Sequence, residues 1–247
     1  MTYGYVPGEV VSEAKSDRPR DAASVVVFDR ESGELRVLMG QRQATQAFMP
    51  GKFVFPGGRV DPEDKTIATA GTLAESERAK LLADMKGTPS NARALALALA
   101  AIREAYEEAG LIIGASETAD QTGKVGHPSW ESFLGNGHIP TPAVLTFFAR
   151  AITPPGRTRR FDTRFFCVER SEVATQTVAP DGELSELGWY SLLEIKSLDL
   201  APITQVVLDE FCDRLSVGPL GPSRHAVPFY HQNRGVFHRD LLTASTE

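Results

Sequence analysis

Arg103-Glu104-Ala105-Tyr106-Glu107-Glu108-Ala109-Gly110-Leu111 is the stretch that decides how this chain is read. As a helix it places Glu104, Glu107 and Glu108 at i, i+3 and i+4, so three carboxylates share one face. Like charges that close repel, and a helix carries them where a cation sits among them. Oxygen-only ligation by several carboxylates suits a hard divalent ion, Mg2+ or Mn2+. Gly110 predicts the end of the helix, and Leu111 to Ile113 predict an apolar strand beyond it. A solvated acidic face is the plain alternative, and Glu107-Glu108 alone is no better than that. Arg103 and Glu104 before the pair, and Gly110 after it, move the reading to a metal site.

The upstream segment Phe55-Pro56-Gly57-Gly58-Arg59-Val60-Asp61 reads as a short apolar strand entering a Pro-Gly-Gly turn. Paired glycines let the backbone approach a ligand or expose a carbonyl to a metal. With these two segments together the sequence resembles the Nudix (MutT-like) hydrolase family. Its signature is Gly, five residues, Glu, seven residues, then Arg-Glu-apolar-x-Glu-Glu-x-Gly-apolar. Arg103 to Leu111 match the second half in full. Gly58 matches the first, with Asp64 where the family has Glu. Asp64 and Arg103 stand 39 positions apart where the pattern has eight, so 31 residues are inserted.

That insertion, the run Phe48 to Gly58 with Asp61 and Asp64 following, and Arg159 to Phe166 are similar to the peroxisomal coenzyme A diphosphatase branch. The resemblance covers roughly residues 22–215. Arg42, Gly51 and Phe55-Pro56-Gly57-Gly58 fall in register with the coenzyme A signature of some Nudix diphosphatases. Gln43 stands where that signature has a small residue, and Ala47 where it has its second arginine.

The resemblance implies an α/β fold, a Nudix α/β/α sandwich with a mixed sheet and a helical insertion. It also implies cleavage of a nucleoside diphosphate linked to another group, X. Glu104, Glu107 and Glu108 would ligate Mg2+ or Mn2+, with the Gly57 carbonyl as a further ligand. Arg103 would hold the array, and Glu104 or a loop acid would take the proton from water. Asp64 is balanced between ligand and turn residue. Asp181, Glu183 and Glu186 are the loop acids, and Glu183 is preferred. Arg42 and Gly58 are substrate-side candidates.

Arg157, Arg159, Arg160 and Arg164 form the dense basic cluster of the sequence. On a strand, Arg160, Asp162 and Arg164 share one face. Arginine forks suit phosphate, so Arg160 and Arg164 are candidates to read a 3′-phosphate. A solvated loop partly paired with Asp162 stands level with that. His225, His231 and His238 have no metal-ligand spacing, and Trp130 and Trp189 read as core or rim.

Composition excludes several classes. The chain has 247 residues, with 42% apolar and 23% charged, which is ordinary for a globular protein. No apolar run reaches the length of a membrane span. A net charge of −6 argues against a general nucleic-acid binder, although a local cation cluster can still take a small anion. Cys167 and Cys212 are too far apart for a Cys-x-x-Cys pair, so neither a disulfide framework nor a zinc site is expected. The start lacks the pattern of a signal peptide, and Ala244-Ser245-Thr246-Glu247 is not a Ser-Lys-Leu type address. A cytoplasmic location is therefore the expectation.

Along the chain, residues 1–20 read as a flexible arm, 21–216 as the catalytic domain with a helical insertion over 65–91, and 217–247 as a C-terminal extension draped on the body. Strands are expected over Ala22 to Asp29, Leu35 to Gln41, Lys52 to Phe55, Pro142 to Ala151, Phe161 to Glu169 and Leu184 to Tyr190. Helices are expected over 66–86, over 92–109 with Ser90 or Asn91 as N-cap, around Trp130 to Leu134, over Ser191 to Ile195 and over Pro202 to Leu215. In 92–102 alanine alternates with leucine, and alanine's propensity decides for helix.

The leading expectation is hydrolysis of coenzyme A or acyl-coenzyme A. Ala47 keeps ADP-ribose or a dinucleotide beside it. A non-catalytic ligand-sensing module is the reading from another class, and the three intact acids weigh against it. A nucleotide-derived small molecule is the expected partner. Homodimer formation is open, since no interface is marked in the sequence.

Overall fold

The computed structural model describes residues 18–31, 33–46, 48–116, 125–157, 159–180, 182–218, 220–221 and 225–243. The arm expected over 1–20 lies outside these up to residue 17, and Ala47 and Asp181 lie outside them as well.

The β-branched run forms β1 (Arg20–Asp29), and β2 (Arg36–Arg42) returns antiparallel to it as a hairpin. β3 (Phe53–Val54) pairs with β2. The Pro-Gly-Gly segment is not a turn as expected. It is β4 (Gly57–Arg59), antiparallel to β1 with Gly58 opposite Ala23. The glycines allow this close approach: a Cβ on Gly57 would lie 2.7 Å from the Ala23 carbonyl.

The helix expected over 66–86 is only α1 (Glu75–Leu82), between left-handed backbone at Gly71 and Asp84. α2 (Asn91–Ala109) forms as expected. Ser90 Oγ accepts from the Arg93 amide, and Gly110 closes the helix in the left-handed conformation. Ala94, Ala96, Leu97, Ala98 and Leu99 are all fully buried, which the small alanines permit by letting the helix sit close to the sheet.

Leu111–Ile112 forms β5, the strand expected beyond Gly110, and β6 (Gly114–Ser116), α3 (Pro128–Gly135) and β7 (His138–Pro140) follow, with β6 and β7 paired. The strand expected from Pro142 opens instead with a short 3-10 turn over Pro142–Val144, because prolines lack the ladder donor. The strand itself is β8 (Thr146–Ile152). β9 (Phe161–Glu169), β10 (Thr175–Gln176) and β11 (Leu184–Ser191) follow, then α4 (Leu192–Ile195) and α5 (Pro202–Val217).

The segment beyond Val217 is not only draped on the body. Val227–Asn233 forms β12, parallel to β8, and Val236–Leu242 forms β13 antiparallel to β12. Its Val-Pro-Phe-Tyr run buries Val227, Phe229 and Tyr230 at the end of the sheet.

The main sheet runs β11-β2-β1-β9-β8-β12-β13. β1–β9 and β8–β12 are parallel and the other neighbours in the order are antiparallel, so it is mixed. Ala23, Val25 and Val27 of β1 face a core closed by α1, α2 and α3. Val26 and Phe28 face a second core closed by α4 and α5. This alternation on a strand buried on both sides produces the α/β/α sandwich. No described helix is long and apolar enough to cross a membrane.

Two charge systems, the first sealed and the second buried only at its centre, bind the insertion to the sheet. Lys80 Nζ lies 2.7 Å from Glu77 Oε1 with both side chains sealed, and Glu77 Oε2 accepts from the Phe147 amide at 2.7 Å. Burial pushes the Lys80 ammonium below its ordinary pKa, against the pull of Glu77. The second is an alternating chain, Arg93–Asp21–Arg164–Asp162–Arg150–Asp84, that joins α2, β1, β9, β8 and the residues after α1.

Candidate active site

The last two turns of α2 lie over β4. Arg103 is 2% exposed and is the hub of the site. Its Nε and Nη2 donate to Asp64 Oδ1 and Oδ2 at 2.9 and 3.1 Å, a bidentate fork. Nη2 also donates to the Arg59 carbonyl at 2.8 Å. Nη1 is shared by Glu104 Oε1 at 2.8 Å and Glu107 Oε2 at 3.0 Å. Neighbouring carboxylates raise the Arg103 pKa above its ordinary value despite the opposing effect of burial.

Glu104 packs against Gly58, where a Cβ would lie 2.3 Å from Glu104 Oε1. Burial, its largest influence, pushes the Glu104 pKa up to about 8; Arg103 pulls it down and Glu107 adds to the rise. Glu108 is 2% exposed, and its Oε2 accepts from the Gly57 amide at 2.9 Å. Gly57 thus meets Glu108 through its N–H.

Arg42, at the end of β2, lies 3.7 Å from Glu108 and 3.6 Å from Glu183. Gln46 ties the two together, accepting from Arg42 at 2.6 Å and donating to Glu183 at 2.9 Å. Of the expected site residues, the structure therefore brings together Arg42, Gly57, Gly58, Asp64, Arg103, Glu104, Glu107, Glu108 and Glu183.

It does not bring in the others. Arg164 is 1% exposed beneath the helices, and it is paired with Asp21 and Asp162 at 3.0 Å each. Burial holds its pKa below the ordinary arginine value. Arg160 donates to the Thr153 carbonyl and lines a different cavity, of about 550 Å³, with Asp84, Lys86 and His231. Glu186 is exposed at the bulge of β11, with left-handed backbone, and its carbonyl accepts from the Tyr190 hydroxyl. Another cavity of about 590 Å³ lies between α5 and the β12–β13 hairpin, away from the acids.

Asp64 is fully buried. Besides the Arg103 fork it accepts from Trp130 Nε1 at 2.8 Å and from the Asp61 amide at 2.8 Å. Four donors thus meet the two carboxylate oxygens of Asp64, two of them from Arg103. Trp130, Gln46 and His127, whose Nε2 is 3.4 Å from Asp61, are neighbours that the sequence reading missed. Trp130 is core, as expected, but no spacing rule marks its N–H as a donor to Asp64.

Among the described residues no three His, Cys, Asp or Glu side chains form a ready-made metal cluster. The acids are turned instead onto Arg103, Arg42 and the Gly57 amide.

No family model matches the chain. It is 26% identical to the acyl-coenzyme A diphosphatase NUDT19 of Gallus gallus over 70% of its length. It spans 61% of that relative. A Nudix hydrolase from Alicyclobacillus acidocaldarius superposes with a TM-score of 0.57 and 26% identity, over 85% of this chain and 100% of that one. The chain thus has the fold of a Nudix hydrolase and is similar to Nudix proteins in sequence. The helix that matches the signature is α2, and β4 is the strand it packs on.

Proposed function

We propose that this protein is a Nudix hydrolase that cleaves the pyrophosphate of coenzyme A or an acyl-coenzyme A with the aid of Mg2+ or Mn2+. The observation that carries the reading is the convergence of Glu104 and Glu107 on one nitrogen of Arg103, with Glu108 beside them at Gly57. The donor set fits a hard divalent ion: it is all oxygen. Charge balance fits as well. The single charge of Arg103 faces the carboxylates of Asp64, Glu104 and Glu107, so negative charge is in excess.

Glu104, Glu107 and Glu108 would hold the ion, with the Gly57 carbonyl as a further ligand. When bound, such ions neutralise phosphate oxygens and acidify a water. The chain's own groups do the rest. Arg103, fixed by Asp64, sets the directions of Glu104 and Glu107. Arg42 supplies a cation between the helix acids and Glu183, where a phosphate oxygen can be met. Glu183 is partly exposed and held by Gln46, so it or Glu104 accepts the proton of the attacking water. Water adds across one P–O bond, giving adenosine 3′,5′-bisphosphate and a 4′-phosphopantetheine product.

The coenzyme A preference is supported by the likeness to an acyl-coenzyme A diphosphatase. ADP-ribose or a dinucleotide is favoured instead by two observations: Ala47 replaces the second arginine of the coenzyme A signature, and Arg164 is spent in an internal ion-pair chain. A panel of coenzyme A, acetyl-coenzyme A, ADP-ribose, NADH and diadenosine polyphosphates, with Mg2+ and with Mn2+, tests this. Selective cleavage of the coenzyme A compounds is expected. Preference for ADP-ribose or a dinucleotide overturns the substrate, and no cleavage with either metal overturns the activity.

A further inference from the structure

We propose that Trp130 is a positioning residue for this reaction, setting the α2 acids through Asp64 and Arg103. The inference rests on the pyrophosphohydrolase reading of the site. Trp130 sits on α3, is 0% exposed, and donates its indole N–H to Asp64 Oδ1 over 2.8 Å. An indole N–H is a donor only, and burying one fixes it against its acceptor. Asp64, also 0% exposed, takes two of its other three donors from the one guanidinium of Arg103. The plane of the Asp64 carboxylate is therefore the plane of Arg103. Arg103 Nη1 in turn is the nitrogen that Glu104 and Glu107 share.

Side-chain length gives the arrangement its reason. Asp64 is one methylene shorter than the glutamate of the signature it resembles. A shorter carboxylate reaches less far, and Trp130 adds a donor that steadies it at the Arg103 fork. α3 is itself locked to α2 on the same side. The Tyr106 hydroxyl meets Ser132 Oγ at 2.7 Å and accepts from Asn136 Nδ2 at 3.2 Å. Phe133 packs edge-on against both Tyr106 and Trp130, with ring centroids 5.4 Å apart in each case. One helix thus contacts α2 between Glu104 and Glu107 and also holds the partner of Arg103.

Trp130→Phe keeps the ring against Phe133 and removes the N–H. The chain has two tryptophans, Trp130 and Trp189, so the substitution assigns both indole resonances in a 15N spectrum. In the wild type the Trp130 N–H should exchange slowly, and its resonance should move in Asp64→Asn. In Trp130→Phe the Arg103 Nε–H resonance should shift and exchange faster. The Mn2+ Kd should rise about tenfold and kcat fall about tenfold, as loss of one hydrogen bond to a charged group would give, with KM within about twofold. The double variant with Asp64→Asn should be no worse than Asp64→Asn alone. Phe133→Leu, which loosens α3 but keeps the N–H, should lower Tm and leave the Mn2+ Kd in place.

An unmoved Arg103 resonance with wild-type Mn2+ affinity in Trp130→Phe would overturn the inference. So would an equal loss of Mn2+ affinity in Phe133→Leu. A wild type that neither binds Mn2+ nor cleaves any pyrophosphate would sink the functional reading instead, and the Arg103 resonance would still decide the role of Trp130.

Discussion

Replacing Gly58 by alanine should disable the site without unfolding the protein. The new Cβ would stand 2.3 Å from Glu104 Oε1, 2.5 Å from Cδ and 2.6 Å from Oε2, where ordinary contact begins at 3.4 Å. Glu104 must therefore withdraw by about 1 Å, a displacement that costs on the order of 100-fold in rate when it moves a reacting group. The backbone raises no objection, since Gly58 is a strand residue outside the positive-φ set. The obstacle is the far end of one side chain rather than backbone, so Tm should fall by only a few degrees.

Gly57→Ala is the contrasting case. Its Cβ meets the Ala23 carbonyl and Ser24 Cα at 2.7 Å, which are backbone, so the sheet itself must open. That variant should lose stability by about 1–3 kcal/mol or more. Gly135→Ala, at the end of α3 with nothing within 4 Å, is the neutral control. Steady-state kcat, Mn2+ titration and thermal melts on the three variants make the test. A Gly58→Ala protein with kcat within threefold of the wild type would refute the placement of Glu104 at the reacting centre.

Further expectations follow from other residues. Glu107→Gln should abolish turnover with an unchanged circular dichroism spectrum, and retained activity would remove Glu107 from the site. Lys80→Met should cost about 3–5 kcal/mol by taking the cation away from the buried Glu77 carboxylate, while Glu77→Gln with Lys80→Met should recover most of it; urea melts read both. In the metal-free protein the folded-state pKa of Glu104, about 8, lies above the ordinary 4.5, so the folded state binds the extra proton. Its contribution is fully present below about 4.5 and is lost as pH rises through about 8, by at most about 1.4 kcal/mol per pH unit. Melts between pH 5 and 8 should show that fall for the wild type and a flatter profile for Glu104→Gln.

The sequence was most readable where local signals agreed. Ser90, the alanine-rich face and Gly110 mark both ends of α2, and the β-branched run marks β1. It was least readable where a residue's role depends on what covers it. Asp162 and Arg164 do alternate along β9, but β9 lies between β1 and β8 and both side chains are buried, while Arg160 precedes the strand. Position along a strand says nothing about position in a sheet, so two of those side chains became internal ion pairs. The glycine and proline content after Val217 concealed β12 and β13. Residues 66–86 have helical composition, yet the left-handed backbone at Gly71 and Asp84 leaves only α1. Trp130 and Asp64 meet across 66 positions, beyond any periodicity.

The central claim is that the carboxylates of α2 hold a divalent cation beside β4. Anomalous diffraction from a crystal soaked in Mn2+ tests it most directly. The account expects a peak about 2.1 Å from carboxylate oxygens of at least two of Glu104, Glu107 and Glu108, with Arg103 still forked on Asp64. An active crystal with its peak elsewhere, or with none on α2, would contradict it.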